Sequence, residues 1–94
     1  MRLSFEWDEE KAKANLKKHR VGFDEATTVF NDPFSVTIHD SDHSAEEQRY
    51  IDIGSSGKDR VLVVVYTERG AKVRIVSCRK AAPSERKFYE EAND

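Results

Sequence analysis

Residues Arg60–Tyr66 read RVLVVVY, a near-continuous apolar run that as a strand has to be central and covered on both faces. Thr67-Glu68-Arg69-Gly70 turns it into Lys72–Lys80 (KVRIVSCRK), giving a hairpin with glycine in its loop. Simple alternation along that second strand sends Val73, Ile75 and Ser77 to one side and Arg74, Val76 and Cys78 to the other. The strand ends on two cations, Arg79 and Lys80. Ala81-Ala82-Pro83 then turns the chain, and Pro83 suits a first helical position, where its missing N–H and fixed φ cost nothing. Ser84-Glu85-Arg86 opens a last helix that sets Ser84 one turn from Phe88 and Glu85 one turn from Tyr89. A strand tip with two cations, next to a hydroxyl, a carboxylate and a further guanidinium, makes this the leading site candidate.

The rest of the chain supplies layers for that hairpin. Leu3–Trp7 alternates with period two and predicts a first strand with Leu3, Phe5 and Trp7 buried. Asp8 caps a helix that runs to about His19, with Glu9 and Glu10 in its first turn where the helix dipole favours acids. Its thin apolar stripe is Ala12, Leu16 and His19; Lys11, Asn15 and Lys18 form a polar stripe beside it, so that Asn15 and Lys18 project together. Lys17-Lys18-His19-Arg20 closes the helix with cations at its negative end. Val21-Gly22-Phe23 turns into a second helix over Asp24–Asn31, whose core positions are Phe23, Ala26, Thr27 and Phe30, and Pro33 stops it. Phe34, Val36 and Ile38 alternate with polar residues in a strand buried on one side. His39–Glu47 is an acidic loop without fixed metal-ligand spacing. Gln48–Ile53 is a strand with Arg49, Ile51 and Ile53 on one face, and Gly54–Asp59 a hairpin loop that lacks the spacing of a phosphate-binding loop. Arg49 therefore needs a partner, either Glu47 or Asp52 or a ligand phosphate. The tail Glu90–Asp94 is polar and expected to fray.

Ninety-four residues make one domain, 1–94, able to fold without staples. The single Cys78 forms no internal disulfide and reads as a small buried apolar residue. No cofactor or metal is expected. No apolar run approaches the ~18 residues of a membrane span, and Met1-Arg2-Leu3 carries no signal-peptide pattern, so the expected location is the cytoplasm and no membrane partner is expected. The net charge of −2 conceals a division: six Lys/Arg against four Asp/Glu in residues 1–22, one against eight in 23–52, and nine against six in 53–94. A basic surface can exist on such a protein if the fold brings the two ends together. The order strand, helix, helix, four-stranded meander, helix predicts a small α+β domain with helices on a mostly antiparallel sheet.

Asn15-x-x-Lys18-His19, Phe23-x-x-Ala26 with Phe30, Glu47-x-Arg49 leading to Gly54, and Ser77-x-Arg79-Lys80-Ala81 with Glu85-Arg86 and Tyr89 together resemble BrnT-type toxins of bacterial type II toxin–antitoxin systems. The resemblance runs from about Phe5 to Tyr89, with Cys78 standing where a smaller residue is usual. It implies a RelE-like fold, translation inhibition through RNA cleavage, and neutralisation by a cognate antitoxin, BrnA-like with a ribbon-helix-helix part. That antitoxin would contact promoter DNA on behalf of the complex. The RNA would be cut free or on the ribosome.

Metal-independent RNA cleavage uses the neighbouring 2′-OH as nucleophile, so a protein must take its proton, stabilise charge on the phosphorane and protonate the departing 5′ oxygen. Arg79 and Arg49 suit the charge role, Lys80 and Lys18 come next, and His19, Glu85 or Tyr89 could move protons. Asn15, Lys17, Ser77, Arg86 and Tyr89 are candidate RNA contacts. The expectation is that Lys18, Arg49, Arg79 and Lys80 converge on one basic surface. An alternative of another class is a protein-interaction module without chemistry, whose edge and grooves hold an antitoxin-like helix or strand.

Overall fold

The computed structural model describes residues 3–43 and 47–93. Its elements are β1 (Ser4–Glu6), α1 (Glu9–His19), α2 (Phe23–Thr28) continued by a 3-10 turn at Val29–Asn31, β2 (Val36–His39), β3 (Arg49–Ser55), β4 (Val61–Arg69), β5 (Lys72–Lys80) and α3 (Pro83–Ala92). A short 3-10 turn, Ser41–His43, follows β2, and residues 44–46 of the expected acidic loop lie outside the described residues. The architecture is α+β. The five strands form one mixed sheet in the order β1-β5-β4-β3-β2. β1 runs parallel to β5, with Phe5 opposite Val73, while the remaining neighbours are antiparallel. RVLVVVY is thus the middle strand, as its two-sided apolar character requires.

One face of the sheet is sealed by α1 and α2. Val21, Phe23, Ala26 and Val29 pack there on Leu62, Val64, Tyr66, Val73, Ile75 and Cys78, with Phe5, Trp7 and Phe30 at the margin. Phe30 packs edge-on against Tyr66 with centroids 4.9 Å apart, and Trp7 against Phe23 at 5.9 Å. Asp52 also points into this layer. Burial raises its pKa, and the Tyr66 hydroxyl donates to its carboxylate at 3.0 Å. Gly54 lets the loop after α2 press on β3, since a Cβ there would stand 2.9 Å from both Val29 and Ser35 side chains.

Several expectations need correction. The β5 alternation breaks: Val65 pairs with Ser77 but Tyr66 with Ile75, leaving Val76 as an extra, bulged residue. Beyond the bulge the faces exchange, so Val73, Ile75 and Cys78 are all core while Ser77 and Arg79 share the other face. The buried stripe of α1 also differs. Leu16 is 52% exposed, and Asn15 is buried at 7%. Its amide donates to Val21 O at 3.0 Å and Cys78 O at 2.9 Å, and its oxygen accepts from Cys78 N at 3.1 Å. β1 is too short to pair with this part of β5, so a side-chain amide takes the place of a neighbouring strand. β2 is the sheet edge, mostly exposed, with Phe34 outside it and exposed as well. Leu3 and Thr27 are not core. Glu25 is instead buried at the start of α2, where it binds Arg60 through both oxygens and accepts from Ser56 Oγ at 2.7 Å. The chain end does not fray at Glu90: α3 continues to Ala92 and Asn93 donates to Phe34 O at 3.0 Å.

Asn15→Leu removes that bracket while keeping the volume, leaving the Cys78 N–H and C=O buried without partners. Stability should fall by about 2–4 kcal/mol, read as a lower urea midpoint. A loss under about 0.5 kcal/mol would contradict the bracket role.

Candidate active site

The second face of the sheet is built from the other half of the same strands. Ile51 and Ile53 of β3, Val63 and Val65 of β4, and Ser77 and Arg79 of β5 all point to it, as the pairing of Ile51 with Val65 and Val63 with Arg79 requires. Helix α3 crosses one side of this face rather than covering it. Between them lies a cleft of about 360 Å³ lined by those residues together with Ile38, Ser84, Glu85 and Phe88. Phe88 is 48% exposed on its wall. The cleft is mostly apolar with a few convergent polar groups, the usual constitution of a binding site.

Those polar groups are fixed by the start of α3. Pro83 takes the first helical position as expected. Glu85, two residues further on, accepts from Ala82 N at 2.8 Å, tying the helix start together. The same carboxylate receives Arg79 through two parallel bonds, Nη1 to Oε1 at 2.7 Å and Nη2 to Oε2 at 2.8 Å. The Arg79 guanidinium lowers the Glu85 pKa and outweighs the opposing effect of burial; Glu85 in turn raises that of Arg79. At neutral pH the cleft therefore presents an ionised carboxylate and a guanidinium engaged with each other, beside the hydroxyls of Ser77 and Ser84. A guanidinium fork that fits a carboxylate also fits a phosphate.

Tyr89 sits one turn beyond Glu85, but its hydroxyl donates to Asp32 Oδ2 at 2.5 Å. Burial first, and then Asp32, push its pKa up to about 12. Asp32 also accepts from Ser55 N at 2.8 Å and Phe34 N at 2.9 Å, so Tyr89 pins α3 to the loop before β2. Arg86 is exposed on α3.

The four cations expected to converge do not. Arg49 shares the open face with Arg79, but it pairs with Thr67 whereas Arg79 pairs with Val63. Four residues of β4, about 13 Å along the strand, and two strand spacings, about 10 Å across the sheet, separate them. Lys80 lies opposite Leu62, so its side chain leaves toward the other face. Lys17, Lys18 and His19 end α1 on that other face too, and Asn15 is enclosed beneath them with its amide fully used. Of the two carboxylates expected to partner Arg49, Glu47 lies within its electrostatic reach and Asp52 faces away. Glu47 is also bound by Arg69 at 2.6 Å, and Asp52 points to the helix face. The apolar floor of the cleft was not foreseen as a site, because its residues read as ordinary strand alternation. Among the described residues, no three or more His, Cys, Asp or Glu side chains are grouped to hold a metal, and no helix is long and apolar enough to cross a membrane.

A family model described as "Ribonuclease toxin, BrnT, of type II toxin-antitoxin system" matches residues 7–85. Among solved structures, the Brucella abortus ribonuclease toxin BrnT superposes with a TM-score of 0.66 at 19% identity, covering 86% of this chain and 99% of that one. No curated protein gives a significant match.

Because Glu85 titrates below its ordinary value of 4.5, its pairing stabilises the fold above that value and the contribution disappears as pH falls through the lowered one. Glu85→Gln should therefore be less stable than the wild type at pH 7, with the gap closing on acidification. A gap that stays constant down to about pH 2 would show that the pair contributes nothing.

Proposed function

The chain belongs to the BrnT family of ribonuclease toxins of type II toxin–antitoxin systems, and on that premise we propose that it is a RelE-like endoribonuclease that stops translation by cutting RNA on its open sheet face. The observation that supports this most is the doubly bonded Arg79–Glu85 pair at the cleft. In the resting protein Glu85 occupies the place a scissile phosphate would take. An incoming phosphodiester exchanges with it, and the guanidinium then holds two non-bridging oxygens as charge builds on the phosphorane.

Glu85, released from its cation, regains the basicity that Arg79 suppressed and accepts the proton of the 2′-OH. The 2′ oxygen bonds to phosphorus as the bond to the 5′ oxygen breaks. Protonated Glu85 returns its proton to that leaving oxygen, giving a 2′,3′-cyclic phosphate and a 5′-hydroxyl. No redox partner or metal enters this balance. Ser77 and Ser84 offer hydroxyls to the sugar or the phosphate, the apolar floor accepts a base, and Arg49 draws the strand along the face. Arg86, exposed on α3, adds positive charge at the margin, whereas Lys80 points to the other face. Lys17, Lys18 and His19, on the far side of the sheet, are assigned no chemical step, and Tyr89 acts by holding α3 in place.

Membership of a type II family implies an antitoxin partner. We take this to be a BrnA-like protein whose ribbon-helix-helix part, rather than the toxin, contacts promoter DNA. The exposed apolar cleft also suits a second reading, a module that binds such a partner and performs no chemistry. Growth arrest without RNA cleavage, in cells or with ribosomes added, would favour it.

Arg79→Ala should lower RNA cleavage on the order of 10²–10³-fold, the usual cost of losing one stabiliser of transition-state charge. Arg79→Lys should restore little, because an ammonium lacks the fork. If Arg79→Ala and Glu85→Gln both fold and still arrest bacterial growth at the wild-type level, the site lies elsewhere.

A further inference from the structure

The open face has a second concentration of polar groups at the end away from the cleft. Arg49, Thr67 and Arg74 stand side by side on three adjacent strands, and Arg69 and Lys72 form the next rung. Glu6 binds Arg74 at 2.9 Å and lies 3.9 Å from Lys72; Glu47 binds Arg69 at 2.6 Å. Asp8 is a further acid within reach of Arg74, but its carboxylate is bound to the first N–H groups of α1 at 2.8 and 3.1 Å. Among the described residues, the three cations Arg69, Lys72 and Arg74 therefore pair with two carboxylates, leaving an excess of positive charge at this spot on a protein whose net charge is −2.

Thr67 lies in the middle of this group, 3% exposed, and its hydroxyl has no hydrogen-bond partner among the described residues. An unmade buried hydrogen bond costs about 1–3 kcal/mol, so native proteins rarely keep one without a use. Its neighbours across the strands are the two arginine side chains, so a change in their positions is what would open it to a ligand oxygen.

We propose that this end of the face is a second phosphate subsite, where Arg69, Lys72 and Arg74 hold the backbone of a single-stranded RNA some nucleotides from the bond that is cut. The inference rests on the ribonuclease reading and extends it: the substrate lies along β4, from Arg79 to the Thr67 group. The separation of about 13 Å along the strand fits a chain of a few nucleotides, and the apolar side chains of Ile51 and Val65 between the two ends supply a dry floor for the intervening bases. Continuity with the cut site along β4 favours RNA over an acidic protein segment, because a single strand held at Arg79 reaches this patch while remaining in the cleft.

The test compares cleavage of a short RNA spanning only the cut site with RNAs lengthened on either side, for wild type, Lys72→Gln/Arg74→Gln and Glu6→Gln. Wild type should gain kcat/KM with length on one side. The double variant should cut the short RNA normally, forfeit most of that gain, and show a shallower salt dependence, by about 0.7 in log–log slope for each phosphate that is no longer neutralised. Glu6→Gln, which frees two cations, should move the gain the other way, a sign that a merely weakened fold would not produce. Equal gains with length in all three proteins would overturn the subsite while leaving the cut site standing. A wild type that cuts neither RNA removes both readings. Length-independent cleavage with loss of antitoxin binding in the double variant would reassign the patch to the protein partner and also overturn it.

Discussion

The structure depends on one irregularity in β5. If Val76 took a regular rung of the ladder instead of bulging, the alternation that buries Val73 and Ile75 would also bury Ser77 and Arg79 and push Cys78 out. The bulge reverses this: Cys78 joins the core at 1% exposure, and Ser77 and Arg79 appear on the opposite face. A guanidinium forced into the helix-covered core would need a buried counter-ion, at a cost of several kcal/mol. Asn15 holds the reversed segment in place, because its amide satisfies both backbone groups of Cys78 where no strand neighbours them. Burial raises the Cys78 pKa to about 11, which keeps the thiol neutral and inert inside that contact.

The two faces of the sheet consequently hold their charges differently. On the helix side, Glu25 and Arg60 close a local pair that secures the turn after β3, and Asp52 is held by a tyrosine. Both carboxylates are enclosed and committed. On the open side the charged groups are half-exposed, and solvent screening keeps each pair weak in stability terms. That weakness is what a binding face requires, since a ligand phosphate has to displace a carboxylate from each guanidinium. The same interaction that settles the start of α3 can therefore be given up without unfolding the helix, which retains Pro83 at its first position and the Tyr89–Asp32 contact behind it.

Much of this was legible in the chain. The middle strand, the cap at Asp8, the stop before Pro33, the cationic tip at Arg79-Lys80 and the helix opening at Pro83 each follow from local rules, and the structure has them all. Proximity of Arg79 and Glu85 was implied by their six-residue separation across a tight turn. What local rules missed were the facts that depend on a neighbour. Asn15 has the composition of a surface residue, and only the missing strand beside Cys78 makes it core. Alternation cannot announce a bulge, because residues 72–80 carry apolar side chains at both parities. The expected convergence of Lys18 and Lys80 with the two arginines failed for a related reason: it treated the chain ends as one surface, whereas the sheet lies between them.

The central claim is that RNA lies on the open sheet face, against Arg79 and along β4. The direct measurement is amide chemical-shift mapping with a short RNA whose 2′-hydroxyl at the cut site is replaced by hydrogen, so that it binds without reacting. The account predicts shifts in Ile51–Ile53, Val63–Thr67, Ser77–Arg79 and the first turn of α3, with α1 unmoved. Shifts concentrated on Lys13–Arg20 of α1, with Arg79 and Glu85 unchanged, would contradict it.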